Sequence, residues 1–302
     1  MKTRINRYMP VGVAAVALAL AACGSKDEPE TPQPAALDFQ VTEYLPAPGQ
    51  FVNEIPEYAD GDDARTMAAK ADRMLHNGYM VSLGAWGGSI TLRLNRPLDN
   101  GDGPDFRIKG NAYFSATDAA GRHVGNSEPG IVYVMRDENK NGLPDDTWYE
   151  LKGETYDESQ PDYTVTYHRP EADADDRNYI RWTASDGSEG FINRVSAYHS
   201  QNFFAEWVGE GDQTFSGRRL PDNGYLEASS GLYRLINLKG YADSWPDSDD
   251  GSKLDISSAV DAAGKPVSLP SVDFIKVVTG VLQTNGNLGE CSTEVSGIEF
   301  FQ

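Results

Sequence analysis

Apolar residues recur at helical spacing in one stretch of this chain and alternate with polar ones in most others. Ala64, Met67, Ala68, Ala71, Met74 and Leu75 share one face of a 3.6-residue period. That spacing predicts a helix over 62–77, with Asp62 or Asp63 capping its start and Asn77-Gly78 ending it. Short alternating or apolar runs predict strands at 89–94, 106–109, 131–134, 163–168, 274–278 and 298–301. The 30 glycines and 17 prolines fall between such runs. Together these features predict an all-β fold, a jelly-roll-like antiparallel β-sandwich with one short helix. No repeat of fixed period points to a propeller or solenoid. The acidic stretch 171–177 reads as a long loop or insertion.

The first apolar run has a different character. Lys2, Arg4 and Arg7 precede it, and Leu20-Ala21-Ala22-Cys23 closes it. A basic start, a short apolar core and small residues before a cut describe an export signal, too short and wrongly flanked for a permanent membrane helix. The cysteine after two alanines resembles the lipobox of bacterial lipoproteins, in which the thiol receives diacylglycerol and becomes the new N-terminus. The expected organisation is a signal at 1–22, a lipidated, proline-rich, extended tether at 23–37, and one large ligand-binding domain at 38–302. Asp27-Glu28 resembles the export tag of surface lipoproteins in Bacteroidetes-type bacteria. That resemblance implies a lipid-anchored protein on the outer face of the outer membrane.

The formal net charge is -20, and loss of the signal removes three basic residues and no acidic one. Such a surface repels nucleic acid and anionic lipid and favours cations, neutral ligands or basic partners. With Cys23 lipidated, Cys291 is the remaining cysteine, so no intramolecular disulfide forms. Cys291 reads as a small packed residue.

Candidate chemistry concentrates in acidic loops. Residues 137–146 read Asp-Glu-Asn-Lys-Asn-Gly-Leu-Pro-Asp-Asp. Asp137, Asn139 and Asn141 place oxygens at loop positions one, three and five. Gly142 stands at six, the Leu143 carbonyl at seven and Asp145 at nine, as in an EF-hand-like calcium loop. Position twelve is Trp148 rather than a bidentate glutamate, so Asp146, Glu150 or a distant acid must complete the shell of a structural calcium. A second acidic run, 243–250, matches no ligand template and reads as a solvated loop, with a second cation site as the alternative.

Glu128, Glu206, Glu290 and Glu294 are candidates for a glycosidase carboxylate pair, which the sequence cannot pair up. Nucleophile, zinc and phosphate-loop motifs are lacking, and His76, His123, His168 and His199 have no ligand spacing. Trp86, among glycines, and Trp245, beside Pro246, are candidates for exposed aromatic faces that stack on a sugar ring or a flat macrocycle.

Three segments carry a wider resemblance: residues 81–92; residues 105–112, 127–132 and 148–151 around the calcium-like loop; and residues 272–277 with 288–294. They resemble a family of Bacteroides-type "cell surface protein" lipoproteins. The resemblance implies a jelly-roll sandwich related in style to carbohydrate-binding modules. It also implies a neighbourhood of cobalamin-uptake lipoproteins and outer-membrane transporters. The expected role is therefore capture of a small ligand for uptake without chemistry, with cobalamin or another corrinoid as the first ligand and a glycan as the alternative. A glycoside hydrolase and a subunit that docks on an outer-membrane transporter are the competing classes.

Overall fold

Each of the six expected strands lies within or overlaps a strand of the structure, a computed structural model that describes residues 35–301 except 172, 195–196 and 286–288. The signal, Cys23 and most of the tether lie outside the described residues. In chain order the elements are β1 (Phe39–Leu45), α1 (Ala64–His76), β2 (Val81–Ser82), β3 (Ser89–Asp99), β4 (Phe106–Lys109), β5 (Tyr113–Thr117), β6 (His123–Asn126), β7 (Gly130–Met135) and β8 (Trp148–Leu151). There follow β9 (Gln160–Tyr167), β10 (Ile180–Ala184), β11 (Glu189–Ile192), β12 (Gln213–Arg219), β13 (Gly224–Glu227), β14 (Leu232–Ile236), β15 (Ala259–Val260), β16 (Ser271–Thr279), β17 (Glu294–Val295) and β18 (Gly297–Phe300). Among the described residues the protein is mostly β, with antiparallel sheets and one α-helix, consistent with an all-β sandwich.

The largest sheet has the order β1-β3-β16-β7-β8-β15. Register explains its core. Ile275 of β16 lies opposite Leu92 on one side and Val134 on the other, and Val277 lies opposite Ile90 and Val132. Alternate residues of three strands therefore share one face, and all six are fully buried. Full burial of such side chains stabilises by roughly 1.5–3 kcal/mol each. Met67, Ala68, Ala71 and Leu75 of α1, Phe106 and Ile108 of β4, and Val81 and Val295 of the β2–β17 pair complete this core.

The helix forms as its spacing predicts. Asp63 caps it by accepting the Thr66 N–H at 2.8 Å, and Asn77 ends it before Gly78 at a φ of 75°. Asp72 on its polar side accepts the backbone N–H of Val41 at 2.8 Å, which ties α1 to edge strand β1.

Two four-stranded sheets flank the main one, β11-β10-β9-β12 and β13-β14-β6-β5. A second core gathers Trp86, Tyr163, Val165, Tyr167, Phe203 and Phe204 on the first of these. A third joins Ile131, on the other face of β7, to Leu220, Tyr241, Val281 and Cys291. Cys291 is buried, as its small-residue reading expects.

Candidate functional site

Three peptide segments far apart in sequence bring acidic side chains to one place. Glu128 lies two residues before β7. Its backbone N–H donates to the carbonyl of Asp243 at 2.8 Å, and Gly130 and Ala242 exchange two backbone hydrogen bonds at 2.9 Å. This short ladder draws Asp243 out of the acidic run and into the interior, where it is 3% exposed. Gly110 makes the space: a Cβ there would stand 2.4 Å from Oδ1 of Asp243. Glu294 arrives on β17, paired with Ser82 of β2. The solvated-loop expectation for 243–250 is thus corrected at its start. Asp243, Ser244 and Trp245 are buried, while residues 248–250 are exposed. The run follows the buried Tyr241-Ala242 pair, whose packing overrides local polarity.

Hydrogen bonds fix each carboxyl. Asp243 accepts the N–H of Asn111 and of Glu294, both at 2.8 Å. Glu128 Oε1 accepts the N–H of Ser292 at 3.1 Å and the Asn285 amide at 3.3 Å. Glu294 accepts the Ser292 hydroxyl at 2.9 Å and the Asn111 amide at 3.3 Å. One carboxyl oxygen from each of Glu128, Asp243 and Glu294 lies within 4.8 Å of the others. All-oxygen donors of this kind suit a hard cation.

Glu128 and Glu294 line a cavity of about 390 Å³, and Asp243 lies beside them outside its lining. Gln50, Asn111, Asn126, Asn285, Ser82 and Ser292 supply its polar lining, and Phe51, Ile55, Met80 and Leu235 its apolar wall. Glu290 also lines it. Its Oε1 accepts the Gln50 N–H at 2.6 Å, and Gly49 leaves room for it, since a Cβ there would stand 2.7 Å away.

Burial raises the pKa of all four acids. Burial, then the charges of Glu294 and Asp243, pushes Glu128 well up. Burial and Glu294 do the same to Asp243, against the pull of its backbone donors. Burial pushes Glu290 up to about 7 and raises Glu294. Among the described residues no lysine, arginine or histidine forms an ion pair with any of the four.

The structure therefore brings together Glu128, Glu290 and Glu294. Glu206 is exposed, accepts the Asn202 amide at 2.8 Å and does not line the cavity. Asp243, read from the sequence only as the start of the acidic run 243–250, is the member that sequence reasoning did not place with these glutamates. Its signal was the apolar Tyr241-Ala242 just before it.

Both aromatic candidates need correction, because neither presents an exposed face. Trp86 is 1% exposed, its ring edge-on to Tyr163 at 5.6 Å and its N–H on the Arg218 carbonyl at 3.3 Å. Trp245 is 8% exposed. It packs edge-on against Phe114 at 4.9 Å, donates to Asp249 at 2.7 Å and carries the Lys239 ammonium 5.0 Å from its ring centre. Glycine and acidic neighbours suggested exposure, but both indoles fill core positions.

The calcium-like loop is the hairpin between β7 and β8. Asp137 accepts the N–H of Asn141 at 3.1 Å and of Gly142 at 2.8 Å. Asp145 accepts the side-chain amides of Asn139 and Asn141, at 3.1 and 2.9 Å, and Asp146 accepts the Glu138 N–H at 2.9 Å. Asp137, Asn139, Asn141 and Asp145 thus form one connected network. These side chains, with the Leu143 carbonyl and Asp146, are the oxygen donors that a calcium ion would use there once the two amides turned their oxygens inward. Glu150 is excluded from the shell, because it is paired with Arg218 at 2.8 Å.

His199 stacks edge-on against Phe51 of the cavity wall at 4.9 Å and pairs with Glu54 at 3.0 Å, so it supports the rim. The chain matches no protein-family model and none of the curated proteins.

Proposed function

We propose that this protein is a lipid-anchored surface lipoprotein that captures a small polar ligand for uptake, in the cavity lined by Glu128, Glu290 and Glu294. The cavity carries the reading. Its volume is at the small end of ligand pockets and suits one or two sugar rings. Asn, Gln and Ser groups match hydroxyls, and Phe51, Ile55, Met80 and Leu235 match the apolar faces of a ring. The anchor rests on the Leu20–Cys23 signal and the tether behind it. A corrinoid, a macrocycle with an appended nucleotide, far exceeds about 390 Å³, so its capture would use the cavity for a peripheral group alone. The hairpin at 137–146 would hold calcium as a structural ion.

Titration calorimetry with a panel of mono- and disaccharides and with cyanocobalamin tests this. Saturable binding of a saccharide, weakened at least tenfold by Phe51→Ala, is expected. Saturable binding of cyanocobalamin with no saccharide binding would overturn the sugar-sized reading and restore the corrinoid.

One observation favours a second reading, glycoside hydrolysis. Three carboxyls line a single cavity, and one of them, Glu290, is held at about 7, where it can donate a proton near neutral pH. Reducing-sugar release that Glu290→Gln abolishes would establish it.

A further inference from the structure

We propose that Glu128 and Glu294 of the cavity, together with Asp243 beside them, form a calcium-class divalent cation site, with Glu290 as a fourth acid from the cavity wall. It is separate from the hairpin loop and rests on the same cavity as the capture reading, but not on the saccharide.

Two independent observations carry it. The first is the trio itself, three carboxyl oxygens within 4.8 Å. Calcium takes six to eight oxygens at about 2.3–2.6 Å, so two of its ligands lie at most about 5 Å apart. One ion therefore spans the trio. The second is Glu290. It is 4% exposed and lines the cavity, and its Oε2 has no hydrogen-bond partner among the described residues. A buried carboxyl oxygen without a partner is expensive unless something binds it. With no basic side chain paired to these acids among the described residues, a cation entering from the cavity supplies the missing positive charge. Carboxylate, hydroxyl and amide oxygens favour calcium or manganese over zinc or copper. The hydroxyl of Ser292, already 2.9 Å from Glu294, is a further neutral donor beside the trio.

Calorimetric titration of the chelator-treated protein with calcium alone tests the site. The Glu128→Gln/Glu294→Gln double variant is expected to lose one binding step, or to weaken it at least tenfold. Asp145→Asn, in the hairpin, should leave that step in place. A wild type with no calcium heat, or with a single step that only Asp145→Asn removes, would overturn the proposal. Should the double variant not fold, wild-type crystals soaked in manganese decide. An anomalous peak between Glu128 and Glu294 supports the site, and a peak at the hairpin alone overturns it. Calcium binding in a protein that takes no saccharide keeps the cation site and removes the capture reading. Saccharide binding in chelator without any calcium step does the reverse.

Discussion

The backbone N–H of Glu294 donates to Oδ2 of Asp243 at 2.8 Å, so one buried acid positions the strand that carries another. The Oδ1 atom does the same for Asn111, also at 2.8 Å. Asp243→Asn separates charge from hydrogen bonding. Asparagine tolerates the φ of 49° at this position, but its amide nitrogen must face one of the two donors. A buried N–H left unpaired costs about 1–3 kcal/mol. Urea unfolding in chelator is expected to show a loss of that size. An unchanged midpoint would mean that the donors find other partners.

The buried acids set the pH dependence of the metal-free protein. Burial pushes Glu290 up to about 7 when folded, against the ordinary 4.5 of a free glutamate. Between those values the folded state holds a proton that the unfolded chain has released, so stability falls as pH rises through this window and levels off above it. One pKa unit is worth about 1.4 kcal/mol, so Glu290 accounts for about 3 kcal/mol. Glu128, Asp243 and Glu294, also raised, add to the same trend. Asp118 acts oppositely. The Arg122 N–H and guanidinium hold it at about 2, so its contribution is present above 3.8 and lost as pH falls through 2. Melts in chelator should therefore peak on the acid side of neutrality, and Glu290→Gln should flatten the slope between pH 5 and 7, roughly the window its shift defines. A melt that improves from pH 5 to 7 would contradict the burial of these groups.

Which parts of this were legible in the sequence follows from how local each signal is. Helix α1 is set by its own spacing and caps, and the structure ends it at Asn77 as read. Strand β4 matches the predicted 106–109 for the same reason. The site is non-local. Glu128 and Glu294 meet only because β7 and β17 both reach the loop at Asp243, a pairing that no residue pattern encodes. Trp86 failed as a surface prediction because flanking glycines describe the backbone path, not the burial of the side chain between them. Strands β10 to β14 are short or carry few buried positions, so their local pattern is weak and cross-strand pairing holds them. Thr164 and Thr166 of β9, for instance, pair with Ser216 and Thr214 of β12 through hydroxyls at 2.9 Å.

Trp86 tests the difference between core and site directly. The Tyr167 hydroxyl donates to its carbonyl at 2.9 Å, and its ring lies between Tyr163 and the backbone of Arg218. Trp86→Ala should destabilise by about 3–5 kcal/mol. Below its melting temperature the variant should bind the same saccharide with unchanged affinity. A stable variant that has lost binding would return Trp86 to the ligand site.

Arg218 and Glu150 form a buried pair at 2.8 Å, with the guanidinium also donating to Ser159 at 2.8 Å and to Tyr156 at 2.9 Å. Removing one partner leaves the other charge buried, which typically costs about 3–5 kcal/mol. Arg218→Met should therefore destabilise by that order at pH 7, and Arg218→Met/Glu150→Leu should recover much of the loss. Equal destabilisation by the single and double variants would mean that the cost lies in packing rather than in the orphaned charge.

Gly142 probes the hairpin without touching a carboxylate. Its φ is 73°, and a Cβ there would stand 2.8 Å from the Arg93 guanidinium. A left-handed non-glycine residue costs about 1–2 kcal/mol, and the Arg93 side chain must also move. If the loop holds calcium, the sharp turn at Gly142 is what brings Asn141 and Asp145 back toward Asp137. Gly142→Ala should then lower both the melting temperature and the calcium affinity of the hairpin step, while the step that depends on Glu128 and Glu294 stays as in wild type. A lower melting temperature with both calcium steps intact would make the glycine a hairpin turn residue and nothing more. The asymmetry between the two steps is the informative quantity, because the hairpin donors and the trio of Glu128, Asp243 and Glu294 share no residue.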